Sequence, residues 1–317
     1  MRGDAAMHEK IVFFGVMLGG ALLWGGGNVL SRYYLRDRNV HEDLMVVGTM
    51  LGAGIFSFLA ELAWHGAPQI APDFWLSFLG SAMLNVGIVY LSARALKLED
   101  ASIVVPLSAA TPMFLILMSW WMLGEWPSIY GRLGIGLIAC GSYILAWRGA
   151  KTELPEFLAR IIPQRTQESV SFYGAPWLRL FSSRGARLAL MGAYLGSISV
   201  NFDKVAILKS SSMIFTGFVY LTVAFFVFGW SKTSGRWNAL DKKYFRKVLL
   251  LGAFIGLYTV VLNTGYFFAI VPYVAALKRT QVLWTIVFAA LFLREQYAAM
   301  RIAGACIMLL GATLIAW

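Results

Sequence analysis

About ten apolar runs, each roughly 20 residues long, divide this chain of 317 residues. A run of that length can cross a bilayer as one helix, because a helix satisfies its own backbone groups inside hydrocarbon. The runs fall at 11–31, 44–64, 74–96, 101–123, 128–147, 187–208, 211–231, 247–270, 271–293 and 297–317. Composition agrees: 59% of the residues are hydrophobic and only 14% are charged, less charge than a soluble domain of this length carries. The reading is an all-α membrane protein with about ten transmembrane helices. The first run is too long for a signal peptide and has no clear cleavage site, so it counts as a span.

The formal net charge is +11. In a soluble chain that would suggest nucleic acid. Here the cations cluster in loops between apolar runs, and no Gly-rich phosphate loop or basic-aromatic motif accompanies them, so no nucleic-acid partner is expected. One set of loops holds Arg36 and Arg38, Arg94 and Lys97, the basic stretch 148–187, Lys232 to Lys247, and Arg294 with Arg301. The other set holds little beyond Arg2, Lys10, Arg132 and Lys209. The positive-inside rule places the rich set in the cytoplasm and both termini outside. Cys140 and Cys306 fall in apolar runs and read as small packing residues. His8, His41 and His65 show no metal-ligand spacing, and no Ser/His/acid set is evident. No catalytic residue, metal or cofactor is expected, and the chain does not read as an enzyme.

The chain is duplicated. Leu123, Glu125, Gly134, Gly141, Ala146 and Trp147 recur at a shift of 170 as Leu293, Glu295, Gly304, Gly311, Ala316 and Trp317. The first helices align at nearly the same shift, with Arg32 opposite Lys204. The organisation is a first five-helix repeat at 1–147, a polar basic linker at 148–186, and a second repeat at 187–317. A unit with an odd number of spans enters the membrane from the opposite side when repeated, so the repeats are inverted.

Three features carry a family resemblance. They are Leu23-Trp24-Gly25-Gly26-Gly27-Asn28 in the first helix, Thr111-Pro112-Met113-Phe114 in the fourth, and Leu123-Gly124-Glu125 before the Gly-spaced fifth. Together with the duplication they resemble the drug/metabolite transporter superfamily, in its ten-helix EamA-type branch. The resemblance implies secondary transport of a small organic solute across the cytoplasmic (inner) membrane: an amino acid, a related metabolite or an amphiphile. It implies binding near the midplane between the repeats, by alternating access, in a monomer or homodimer. Many relatives keep both termini inside, against the charge count. A flippase for a lipid or lipid-linked head group is the rival on the same scaffold; a receptor or enzyme lacks supporting residues. Membrane lipids are partners in either case, and proton coupling, exchange and facilitated diffusion all fit the sequence.

One departure of the second repeat from the first matters. Lys278-Arg279 stands where the first repeat has Ser108-Ala109, and Val282 where it has Pro112. Each cation costs roughly 2.5–3.5 kcal/mol at a helix centre, so both need an anion, a water-filled cavity or a snorkelling route. On one continuous helix, Lys278, Gln281 and Thr285 share a face, with Arg279 about 100° away. Two readings stand: recognition of an anionic substrate group, for which Arg is geometrically apt, or an ion pair with Asp203 or Glu61. Asp203 is also the intramembrane acid best suited to coupling. Asn28, Asn85 and Asn263 lie within apolar spans, and Trp24, Tyr90, Tyr266 and Trp284 are candidates for an aromatic lining. Glu125 and Glu295 read as first-turn helix caps. The paired glycines read as packing faces, and Trp64, Trp75, Trp147, Trp230 and Trp317 as an interfacial belt.

Overall fold

A computed structural model describes residues 2–38, 40–99, 101–108, 110–146, 160, 163–239, 243–293 and 299–316. The described chain is helical apart from its turns, and the expectation of an all-α membrane protein holds. The first repeat supplies α1 (Arg2–Arg32), α2 (Glu42–Trp64), α3 (Phe74–Leu98), α4 (Ala101–Ser108), α5 (Thr111–Leu123) and α6 (Ile129–Ala146). Two helices follow in the linker, α7 (Gln164–Tyr173) and α8 (Ala175–Ser182). The second repeat supplies α9 (Arg184–Leu208), α10 (Ser212–Thr233), α11 (Phe245–Thr264), α12 (Val271–Lys278), α13 (Gln281–Leu293) and α14 (Ala299–Ala316). Glu295, Trp147, Trp317 and most of the linker's first half lie outside the described residues.

Two expectations change. The runs 101–123 and 271–293 are not continuous helices: each breaks after its eighth residue, into α4 and α5 and into α12 and α13. Proline explains the first break. Pro112 sits in the first turn of α5 and has no N–H to give the Ser108 carbonyl, which the Thr111 hydroxyl takes instead at 2.7 Å. In the second, Arg279 and Thr280 donate three residues back, to Ala276 and Leu277, both at 3.0 Å. The Thr280 hydroxyl takes the same Leu277 carbonyl at 2.7 Å. Glu125 is the other correction. It lies in the turn after Gly124, whose left-handed φ of 68° ends α5. The helix beyond begins at Ile129, and Ser128 caps it by accepting the Gly131 N–H at 3.0 Å.

The chain forms two compact units, each drawing on both repeats. The first comprises Met1–Ala82 and Phe202–Gln296, the second Met83–Asn201 and Tyr297–Trp317. In the first unit α2 packs on α10 and α11. The α2–α11 crossing is backbone on backbone: a Cβ on Gly52 would strike the Leu249 carbonyl, and one on Gly252 the Thr49 carbonyl. Helix α1 lies along α13 and α11, and a Cβ on Gly25 would come within 2.8 Å of the Thr285 backbone nitrogen. In the second unit α6 and α14 form the main contact. Its seam is the set of paired glycines: a Cβ on Gly134 would meet Gly311 O at 2.5 Å, and one on Gly141 would meet Gly304 O at 2.6 Å. Small faces allow this close approach, and dispersion then holds the pair where lipid offers no hydrophobic drive. Cys140 and Cys306 are exposed rather than packed, because glycines carry that seam. Trp64, Trp75 and Trp230 are exposed at or near helix ends, as a belt requires.

Candidate functional site

Lys278 is the last residue of α12, where helix carbonyls without intrahelical partners favour a cation. Its ammonium donates to Asn263 Oδ1 at 2.7 Å and to the Tyr266 hydroxyl at 3.2 Å. It also lies 4.4 Å from the centroid of the Tyr266 ring, a cation–π contact. Asn263 and Tyr266 are both buried. Asn263 is aimed by its own amide, which donates to Thr216 Oγ1 at 2.9 Å on α10. Neutral oxygens and a ring face from α11 and the turn after it therefore hold the cation, with α10 fixing Asn263. Asp203 lies close enough for the two charges to act on each other, and its carboxylate accepts from Ser81. Its neighbour Lys204 turns elsewhere, to the Ala269 carbonyl at 3.1 Å.

Beside Lys278 is a cavity of about 360 Å³ within the first unit. Its walls come from five helices. Trp24, Asn28 and Ser31 recur on one face of α1, at i, i+4 and i+7. Thr49 comes from α2, Tyr220 from α10, and Tyr258 and Thr259 from α11. Trp24 stacks on Tyr258 with centroids 5.9 Å apart and 13° between planes. The Tyr220 and Thr259 hydroxyls bond to each other at 2.8 Å. Lys278 is the charged residue of this lining, and no carboxylate is among the described residues that form it.

The break divides the polar stripe expected on one helix. Gln281 and Thr285 stay together on α13, where Asn28 donates to Gln281 Oε1 at 2.7 Å and to Thr285 Oγ1 at 3.0 Å. Asn28 thus joins the α1–α13 contact to the cavity wall. Arg279 caps α12, half-buried and outside the cavity lining. Trp284 packs its Cβ at the Gly25 crossing and also stands outside that lining. Asn85 and Tyr90 belong to the second unit. There Asn85 donates to Ser199 at 3.0 Å, and the exposed Tyr90 accepts from Arg94 at 2.8 Å. Glu61, the other candidate counter-charge, is buried, accepting from Ser211 at 2.7 Å and facing His65 at 3.1 Å.

Tyr220, Tyr258, Thr259 and Ser31 were not among the residues expected from sequence. The available signal was the helical spacing of polar residues in apolar runs: Ser31 one turn beyond Asn28, and Thr259 one turn before Asn263. No metal-binding cluster of His, Cys, Asp or Glu occurs among the described residues.

The comparisons with known proteins agree with this architecture. A model of the EamA-like transporter family matches residues 12–147 and again 183–317, one match per repeat. The chain belongs to the EamA-like transporter family. It is therefore a multi-pass membrane protein of the drug/metabolite transporter superfamily. Twenty-nine chains of solved structures match it. One, described only as the crystal structure of a protein, covers 95% of this chain and 94% of its own at a TM-score of 0.69 and 15% identity. At that identity the likeness shows the fold alone. No curated protein matches the chain.

Proposed function

We propose that this EamA-family protein is a secondary transporter of the cytoplasmic membrane, with Lys278 as its substrate-recognition cation. The cargo is a small organic metabolite, amino-acid-like or amphiphilic, that carries an anionic group, moved by alternating access. The observation that carries this reading is the lining of the cavity: one cation with neutral hydrogen-bond acceptors, beside stacked rings and hydroxyls. A lysine whose direct hydrogen bonds go to neutral oxygens can exchange them for the stronger ones a carboxylate or phosphate offers. Rings and hydroxyls suit an amphiphilic body. Asp203 serves as counter-charge when the cavity is empty and as the acid that couples transport to protons.

The test is a metabolite library screened by thermal shift on the purified protein and on Lys278→Met. Anionic solutes should stabilise the wild type and not the variant. Hits confined to cations, or equal shifts in both proteins, would overturn the assignment. Proton coupling is read separately, as uptake into liposomes with and without a pH gradient: Asp203→Asn should make the two rates equal. The Lys/Arg distribution supports both termini outside, and a reporter fused after Trp317 that is active only in the cytoplasm would reverse that orientation.

A further inference from the structure

A second cavity, of about 370 Å³, lies in the second unit. It runs along α6 past Gly136, Ala139, Cys140 and Tyr143, with Met113 of α5 and Trp177 of α8 at its sides. Gly136 lines it beside open space, for a Cβ there would meet nothing within 4 Å. Met113 and Cys140 are exposed, so in a membrane the groove opens towards acyl chains. At its α8 end Trp177 stacks on Tyr143, with centroids 6.5 Å apart, a pair of the kind that settles at head-group depth.

Helix α8 is amphipathic. Ala175 is buried in a cluster with Ile103, Val104 and Leu107 of α4, against which Leu180 packs, and Leu178 is buried one turn from Ala175, while Trp177 is 38% exposed. The helix lies in the basic stretch 148–187, where seven Lys/Arg face three acids. Arg184 and Arg187 are exposed at the start of α9. Arg187 Nη1 donates to the Leu180 carbonyl at 3.3 Å, about one helical turn along α8 from Trp177. An apolar groove that ends at an aromatic pair, with the Arg187 guanidinium about one turn along α8, matches the two ends of one molecule. A soluble anion would leave the groove unused, and a neutral apolar ligand would leave the arginines unused.

We propose that this groove holds one acyl chain of an anionic phospholipid, its phosphate meeting Arg187 and Arg184. The site is separate from the Lys278 cavity, and its test does not depend on the cargo.

The full-length protein, extracted from bilayers of equimolar phosphatidylglycerol and phosphatidylcholine, is examined by native mass spectrometry. One phosphatidylglycerol per chain should be retained over phosphatidylcholine. Arg187→Gln should cut that preference roughly five-fold, the attraction of one surface cation for an anionic leaflet. Gly136→Leu, which fills open space, should lose both lipids, and if it fails to fold the Arg187→Gln measurement still decides. Equal retention of the two lipids by the wild type, unchanged retention by folded Gly136→Leu, or a second chain bound in place of lipid would each overturn the proposal.

Discussion

The two helix breaks occupy the same place in the two repeats and differ in what they carry. At Ser108–Thr111 the break is enforced by Pro112, and the loose carbonyl is taken by a neighbouring hydroxyl. At Lys278–Gln281 there is no proline at the matching position, which is Val282, and tightened turns with the Thr280 hydroxyl perform the break. Discontinuity is thus a property of the repeat. Charge is a property of one copy. A broken helix exposes carbonyls at the end of its first half, and only the second copy uses that end to hold a cation. The physical lesson is that the scaffold first creates a polar place in the membrane, and a change of side chains then makes it selective.

Five substitutions would break or sharpen this comparison. The largest effect is expected from Lys278→Met, which makes the second break as uncharged as the first. Uptake of the cargo in liposomes should fall roughly 100-fold, since hydrogen bonds to charged groups are worth about 1.5–3 kcal/mol each, while membrane insertion is retained. Uptake at the wild-type rate would show that the charge has no part in transport. Asn263→Leu comes next. It removes the nearer of the two acceptors of Lys278 and the donor to Thr216, and thermal unfolding should report a loss of about 1–3 kcal/mol for the partners left unsatisfied. Thr280→Val and Thr111→Val remove the matching hydroxyl-to-carbonyl bonds at the two breaks. Each should cost about 1 kcal/mol in the same assay, and losses differing by more than twofold would show that the breaks are not equivalent. Pro112→Ala should have the smallest effect, less than about 1 kcal/mol, because alanine fits a helix and the Thr111 bond remains. A collapse of stability there would mean that the first break depends on proline alone.

The contrast between the breaks also shows how far sequence reasoning reaches. Pro112 was a visible signal: proline disfavours the preceding residue's helical conformation, and the shift of 170 could have carried the break into the second repeat. The length of 271–293, enough for one span, concealed it, since Arg279 and Thr280 have no backbone defect of their own. Glu125 looked like a cap because it precedes a helix, but Gly124 starts the turn and Ser128 makes the cap. Glu61 was one candidate counter-charge for Lys278, yet Ser211, the N-cap of α10, gives it a buried partner of its own. In each case a local pattern was overridden by a group distant in sequence or by a turn whose geometry sets the boundary.

Sequence alone determined the class of molecule. Apolar runs of membrane length, repeated halves and glycines seven apart in the last helix of each repeat are local properties, and the all-helical fold and the glycine seam follow from them. It also marked Lys278 as the residue that has to be explained. Only the tertiary structure decided how the cation is held and which side chains share its cavity. Those answers depend on α11 and the turn after it, which carry Tyr258, Asn263 and Tyr266, meeting Trp24 of α1 and Lys278 of α12. Periodicity tells which face of a helix is polar; the partner it meets is set by how the helices cross.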